Sequence, residues 1–157
     1  MCYISDGEDM QQWRGNAALS FTAEQRGDAE QLLISLWPAI KSPSCWIPGC
    51  GLGRGVILDA SQYAACESWL RFHAPRGFCW QRIVVHVNST YRWHAHGGNT
   101  GASLLVGLTD YSGGELEIQG DGSFPTSECM VVFDGRNMHR THAFLGLRVT
   151  LVAFSVL

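Results

Sequence analysis

Between Tyr91 and Ser103 the chain reads YRWHAHGGNTGAS, with His94 and His96 two residues apart at its centre. In an extended strand, side chains at i and i+2 leave the same face, so this spacing offers two imidazoles to one point: half of a site for a divalent metal ion. The other half has to come from elsewhere. The segment 134–148, DGRNMHRTHAFLGLR, supplies His139, with His142 as a competing donor, and ends on Arg148. Two imidazoles from one strand and a third from a distant one make a facial metal site. Arg148 adds a cation. On the strand expected over 148–156, Arg148, Thr150, Val152, Phe154 and Val156 share one face, and Val149, Leu151, Ala153 and Ser155 share the other. Both faces are largely apolar, so the strand is covered on both sides, and a guanidinium buried at its start calls for an anion. Thr150 stands beside it with a hydroxyl for the same anion.

These residues need a scaffold, and the pattern along the chain supplies one. Residues 1–21 are polar and without period, and read as a loose arm. From Thr22 to Trp37, Ala29, Leu32, Leu33 and Leu36 recur at helical spacing, Thr22 and Gln25 form a capping box, and Pro38 is expected to stop the helix. The Pro- and Gly-rich stretch 38–55 reads as a loop, its glycines matching neither a phosphate cradle nor a dinucleotide fingerprint, with a short strand over 56–58. A second helix is expected over 61–71, capped by Ser61 and burying Tyr63, Cys66, Trp69 and Leu70. After Gly77 the signal turns to β, with strands over 80–87, 102–110, 115–119, 129–133 and 148–156 separated by turn residues such as Ser112-Gly113-Gly114 and Asp134-Gly135. Two helices followed by short strands predict an α+β, mainly β fold: a sandwich or barrel with helices on one outer face.

Composition sets the outer bounds. The 157 residues, 46% hydrophobic and 16% charged, suffice for one core and not for two, so a single domain over 22–157 is expected, with helical support over 22–76 and a β core over 77–157. A net charge of -3 gives no electrostatic footprint for nucleic acid or an anionic membrane. No apolar window reaches the ~18 residues of a membrane span and no secretory leader opens the chain, so an intracellular, cytoplasmic protein is expected. Six cysteines without a CxxC pair read as free, mostly buried thiols. His73 and His86 read as structural histidines. Asn99 reads as a turn residue, and Trp80, Tyr91 and Trp93 as packing around the site, with Tyr91 and Asn88 weighed as contacts to a ligand.

From Trp80 onward the chain resembles the double-stranded β-helix (jelly-roll) core of the Fe(II)/2-oxoglutarate-dependent dioxygenases, the prolyl 4-hydroxylase-like and TET/JBP-like enzymes among them. The resemblance rests on His94, Asn99, Gly101 and Ser103 in an H-x-x-x-x-N-x-G-x-S register, on Gly113-Gly114-Glu115-Leu116, on Phe133-Asp134-Gly135 before His139, and on Phe144, Gly146 and Arg148 after it. It covers about half of the chain. It implies that His94 and His139 are metal ligands and that Arg148 with Thr150 holds the far carboxylate of 2-oxoglutarate. It also implies Fe(II) as metal, 2-oxoglutarate as cosubstrate, ascorbate as a candidate further cofactor, and hydroxylation or oxidation of a peptide, nucleobase or small metabolite by O2. At position 96 the family has an aspartate and this chain a histidine. The i, i+2 geometry survives, but three neutral imidazoles leave the charge of a dication unbalanced by protein, and an all-nitrogen set also suits zinc or copper. Two other readings therefore stand beside the dioxygenase: a β-helix domain that binds zinc or copper without turnover, and a three-histidine oxygenase independent of 2-oxoglutarate, against which Arg148 and Thr150 weigh.

Overall fold

The computed structural model describes residues 16–42, 46–48 and 52–157. Three antiparallel sheets and two helices make up these residues, a mainly β arrangement of the α+β kind. In chain order the elements are β1 (Ala17–Ser20), α1 (Ala23–Ile40), β2 (Trp46–Pro48), β3 (Leu52–Val56), α2 (Ala60–His73), β4 (Arg82–Thr90), β5 (Asn99–Gly107), β6 (Ser112–Gly113), β7 (Leu116–Ile118), β8 (Gly122–Phe124), β9 (Cys129–Phe133), β10 (His139–Thr141), β11 (Phe144–Leu145) and β12 (Val149–Val156). The large sheet has the order β1-β9-β5-β12-β4-β3-β2, a smaller one β10-β7-β8, and β11 pairs with β6.

Strand alternation divides the interior in two. On β12 the side chains of Val149, Leu151 and Ala153 join Val85, Val87, Leu104 and Val106 from the neighbouring strands and the buried faces of both helices (Ala29, Leu32, Leu36, Cys66, Leu70) in the main core. The opposite face carries Leu105, Val131 and Phe133, which meet Leu116 and Ile118 of the smaller sheet in a second cluster. The helices thus seal one side of the large sheet; Arg148, the residue before β12, and Thr150 within it lie on the other side, facing the cavity between the sheets.

Several local expectations are revised. Ala17–Ser20, within the stretch read as a loose arm, is an edge strand paired with β9 (Ala17 opposite Val132); residues 1–15 lie outside the described residues. The capping box of Thr22 and Gln25 is present, but α1 runs through Pro38 to Ile40, because burial of Ala39 and Ile40 holds a last turn whose cap, the Lys41 N–H, donates to the Trp37 carbonyl. The second helix begins one residue before Ser61, with Asp59 and Gln62 as its capping box. Where a loop and a strand over 56–58 were expected, β2 and β3 pair antiparallel and extend the large sheet beyond β4. Cys66 and Cys129 are free and buried as expected, whereas Cys79 is disulfide-bonded, since pairing is decided by spatial approach rather than by spacing in sequence.

One glycine marks how tightly the second layer is tied to the first. A Cβ on Gly107, at the end of β5, would lie 1.8 Å from the Thr126 carbonyl oxygen. Gly107→Ala must therefore push two backbones apart, and is expected to cost about 3 kcal/mol or more, read as a lowered urea midpoint at unchanged m-value.

Candidate metal centre

His94 and His139 come from segments 45 residues apart and meet as an antiparallel bridge, each N–H donating to the other's carbonyl at 3.0 and 2.9 Å. Residues opposite each other in such a pair project their side chains to one side, and the two rings lie 4.3 Å apart, centroid to centroid. His94 is not in a named strand, contrary to expectation; a single bridge does the positioning. The backbone N–H of His96 donates to the Gly135 carbonyl (2.9 Å), and its own carbonyl accepts from Asn99 N–H (3.1 Å), closing the turn after the pair. His96 thereby stands 4.9 Å from His94 and 5.5 Å from His139. One ring nitrogen from each of the three lies within 4.8 Å of the others, close enough for one ion after small side-chain rotations.

The rings are oriented as well as gathered. His94 Nδ1 lies 2.6 Å from the Arg92 carbonyl and His139 Nδ1 lies 2.7 Å from that of Asn137. A carbonyl only accepts, so each Nδ1 carries the proton and each Nε2 keeps its lone pair, the arrangement that metal-binding imidazoles need. Burial holds the pKa of His139 down at about 4 and lowers that of His96, so both rings are neutral donors at neutral pH. The donor set fits a divalent ion.

Around these rings is a cavity of about 360 Å³, and Arg148 and Thr150 lie in its wall. Arg148 is 2% exposed; its Nη1 donates to the Ser89 carbonyl (3.2 Å), its Nη2 to that of Gly114 (3.3 Å), and its Nε has no partner. Among the described residues no carboxylate pairs with it. Tyr111 and Phe144 cover the guanidinium at 5.4 and 5.8 Å, and desolvation lowers its pKa. A buried cation in the wall of a cavity, with no carboxylate partner among the described residues, is what the far carboxylate of 2-oxoglutarate would satisfy, so the residues fit that group too. Gly114, at φ +70°, makes room: a Cβ there would sit 2.9 Å from Arg148 Nε. Thr126 donates to the Gly114 carbonyl (2.8 Å) and bonds the Tyr111 hydroxyl (2.6 Å), fixing the wall behind the guanidinium.

The remaining candidate residues divide between the cavity and the rest of the fold. His142 turns away to Glu117 (2.6 Å) and is no rival to His139. His73 pairs with Asp28 (2.7 Å), the structural role expected. Trp80 is core, stacked on Phe78, rather than near the site; Trp93 is at the surface beneath Arg140. Asn88, at φ 52°, clamps the Arg148 backbone: its side-chain oxygen accepts from Arg148 N–H (2.9 Å) and its own N–H donates to the Arg148 carbonyl (2.7 Å). His86, read as structural, lines the cavity opposite Thr150, with Nδ1 3.1 Å from the Tyr91 hydroxyl. The signal was present in the sequence: on β4 Val84 and His86 alternate with the core residues Val85 and Val87, so His86 belongs to the inner face.

The lowered pKa values have a consequence for the metal-free protein. Burial brings His86 and His139 from 6.5 to about 4, so between these values the unfolded chain binds protons that the native state refuses. Stability is then full above pH 6.5 and is lost as the pH falls towards 4. The expected loss is on the order of a few kcal/mol for the two imidazoles together, visible in urea titrations at pH 7 and pH 4.5, and His86→Phe should flatten the slope.

No protein-family model and no curated protein sequence matches the chain. Solved structures do match. A prolyl-4-hydroxylase from Pseudomonas putida superposes with a TM-score of 0.64 at 15% identity, covering 96% of each chain. A viral collagen prolyl hydroxylase from Paramecium Bursaria Chlorella virus-1, in complex with 2-oxoglutarate, gives 0.57 at 11%, covering 90% of this chain and 94% of that one. An oxidoreductase of the 2-oxoglutarate-Fe(II) oxygenase family from Burkholderia pseudomallei gives 0.55 at 14%, covering 89% and 83%. At these identities the likeness is one of fold: the chain is folded as prolyl hydroxylases and 2-oxoglutarate-Fe(II) oxygenases are.

Proposed function

We propose that this protein is an Fe(II)- and 2-oxoglutarate-dependent dioxygenase with a double-stranded β-helix core, holding the metal through His94, His96 and His139 and the cosubstrate through Arg148 and Thr150. The observation that carries the reading is the pairing, in one cavity, of three convergent imidazoles with a buried guanidinium that no carboxylate among the described residues neutralises. The shared fold with 2-oxoglutarate-Fe(II) oxygenases supports it. Bound Fe(II) with 2-oxoglutarate supplies O2-dependent oxidation: one oxygen atom goes to the substrate C–H, the other to the succinate formed as 2-oxoglutarate loses CO2.

The chain's own contribution is placement and shielding. Asn88 fixes the Arg148 backbone and the Ser89 and Gly114 carbonyls fix its head, so the cosubstrate's far carboxylate meets a preset guanidinium. The carbonyls of Arg92 and Asn137 hold the Nε2 atoms inward. Apolar walls from Leu105, Leu116, Phe133, Val152 and Phe154 keep water from the reacting centre. No membrane-crossing helix is found among the described residues.

Metal analysis of the purified protein, followed by succinate measurement with Fe(II), 2-oxoglutarate and O2, tests the reading. Succinate above the metal-free background is expected; an unbound cosubstrate would sink it. His96 favours a second reading, a zinc- or copper-binding domain without turnover, and tight metal retention with no succinate would select that one.

A further inference from the structure

Among the described residues, no carboxylate lines the cavity that holds the three histidines and Arg148; imidazole, hydroxyl, amide and hydrocarbon do, and the guanidinium is the one permanent charge among them. We propose that the organic substrate completing this site is a monoanion, bearing a carboxylate or an equivalent group close to the metal, and that His96 selects for it. The inference rests on the metal and cosubstrate reading above. A divalent ion and Arg148 bring three positive charges, and 2-oxoglutarate returns two negative ones. With an aspartate at position 96 the balance would close. With His96, one positive charge remains in a wall of low polarity, where an uncompensated charge is costly and a counter-ion is held strongly. His86 does not change the sum: burial and the nearby Arg148 keep its pKa at about 4, so it is neutral.

The geometry says where the anion enters. His139 is buried and His94 half-buried, but His96 is exposed, so the charge excess opens towards solvent on the side of residue 96. Arg92, exposed two residues before His94, forms no ion pair among the described residues and extends the positive field at that rim. Nearby carboxylates are already engaged: Asp134 is tied to Arg136 (2.8 Å), and Glu117 to Arg140 and His142 (each 2.6 Å).

The test is ligand binding, not turnover. The full chain is loaded with Co(II), whose visible absorption reports its ligands, then saturated with 2-oxoglutarate without O2, and titrated with acetate, with acetamide as its neutral isostere, and with azide. Acetate is expected to bind about tenfold or more tighter than acetamide and to compete with azide. His96→Asp should bring acetate and acetamide within about threefold of each other, while His96→Asn, which restores no charge, keeps the preference. Equal binding of acetate and acetamide, azide binding alone, or an acetate preference untouched by His96→Asp overturns the proposal. Failure of Co(II) or 2-oxoglutarate to bind at the first step instead removes the reading beneath it, and the proposal falls with it.

Discussion

His139→Ala is expected to abolish stoichiometric binding of a divalent ion, lowering affinity roughly a hundredfold to a thousandfold. Of the three imidazoles it is the one with the least freedom: 4% exposed, bridged to His94 by two backbone hydrogen bonds and fixed in tautomer by the Asn137 carbonyl. Most of the conformational cost of presenting its Nε2 is therefore met by folding, and its loss leaves only two donors, one of them exposed. His142→Ala is the control, since His142 bonds to Glu117 away from the site and should leave metal binding unchanged. Calorimetric titration of both variants, with circular dichroism to show that each is folded, decides the matter. Equal affinity in wild type and His139→Ala would place the metal, if any binds, elsewhere.

Arg148→Met should move binding and stability in opposite directions. Binding of 2-oxoglutarate is expected to weaken at least about a hundredfold, because a desolvated charge partner of the carboxylate is gone. The ligand-free protein, in contrast, should gain about 1–3 kcal/mol. In the native state the guanidinium is buried with no carboxylate of the described residues beside it and with Nε idle, and its two hydrogen bonds go to neutral carbonyls. Of these, Gly114 keeps its bond from Thr126 in the variant, so only the Ser89 carbonyl loses its donor. Methionine fills similar volume between Tyr111 and Phe144 without the desolvation penalty. Thermal unfolding with and without 2-oxoglutarate reads both effects. A variant that is less stable and still binds the cosubstrate would make Arg148 a structural cation.

The gain and the loss belong together. A charge that destabilises the ligand-free chain at the start of a core strand is expected where a ligand, rather than the chain, completes the pairing. The same reasoning covers Gly114 and Asn88. Gly114, at φ +70°, has no Cβ to crowd Arg148, and Asn88, not a glycine, holds φ 52° while gripping its backbone.

How much of this could be read from the chain alone follows from the range of each interaction. Helix caps and strand parity are local. Thr22 with Gln25, and the two faces of the strand beginning after Arg148, are legible because neighbouring residues enforce them. The three imidazoles that converge were also legible as candidate donors, as residue types at i and i+2 with a distant third. What fails is whatever distant contacts decide. Pro38 lies inside a helix because Ala39 and Ile40 find a core; Ala17–Ser20 becomes a strand because β9 offers an edge; His86 becomes a cavity residue because Thr150 lies opposite. The sequence by itself determined the chemical inventory, three imidazoles and a guanidinium on elements of the right parity. Only the tertiary structure decided that His139 rather than His142 faces His94, and that no carboxylate among the described residues reaches Arg148, because both depend on register between strands far apart in the chain, which no local pattern encodes.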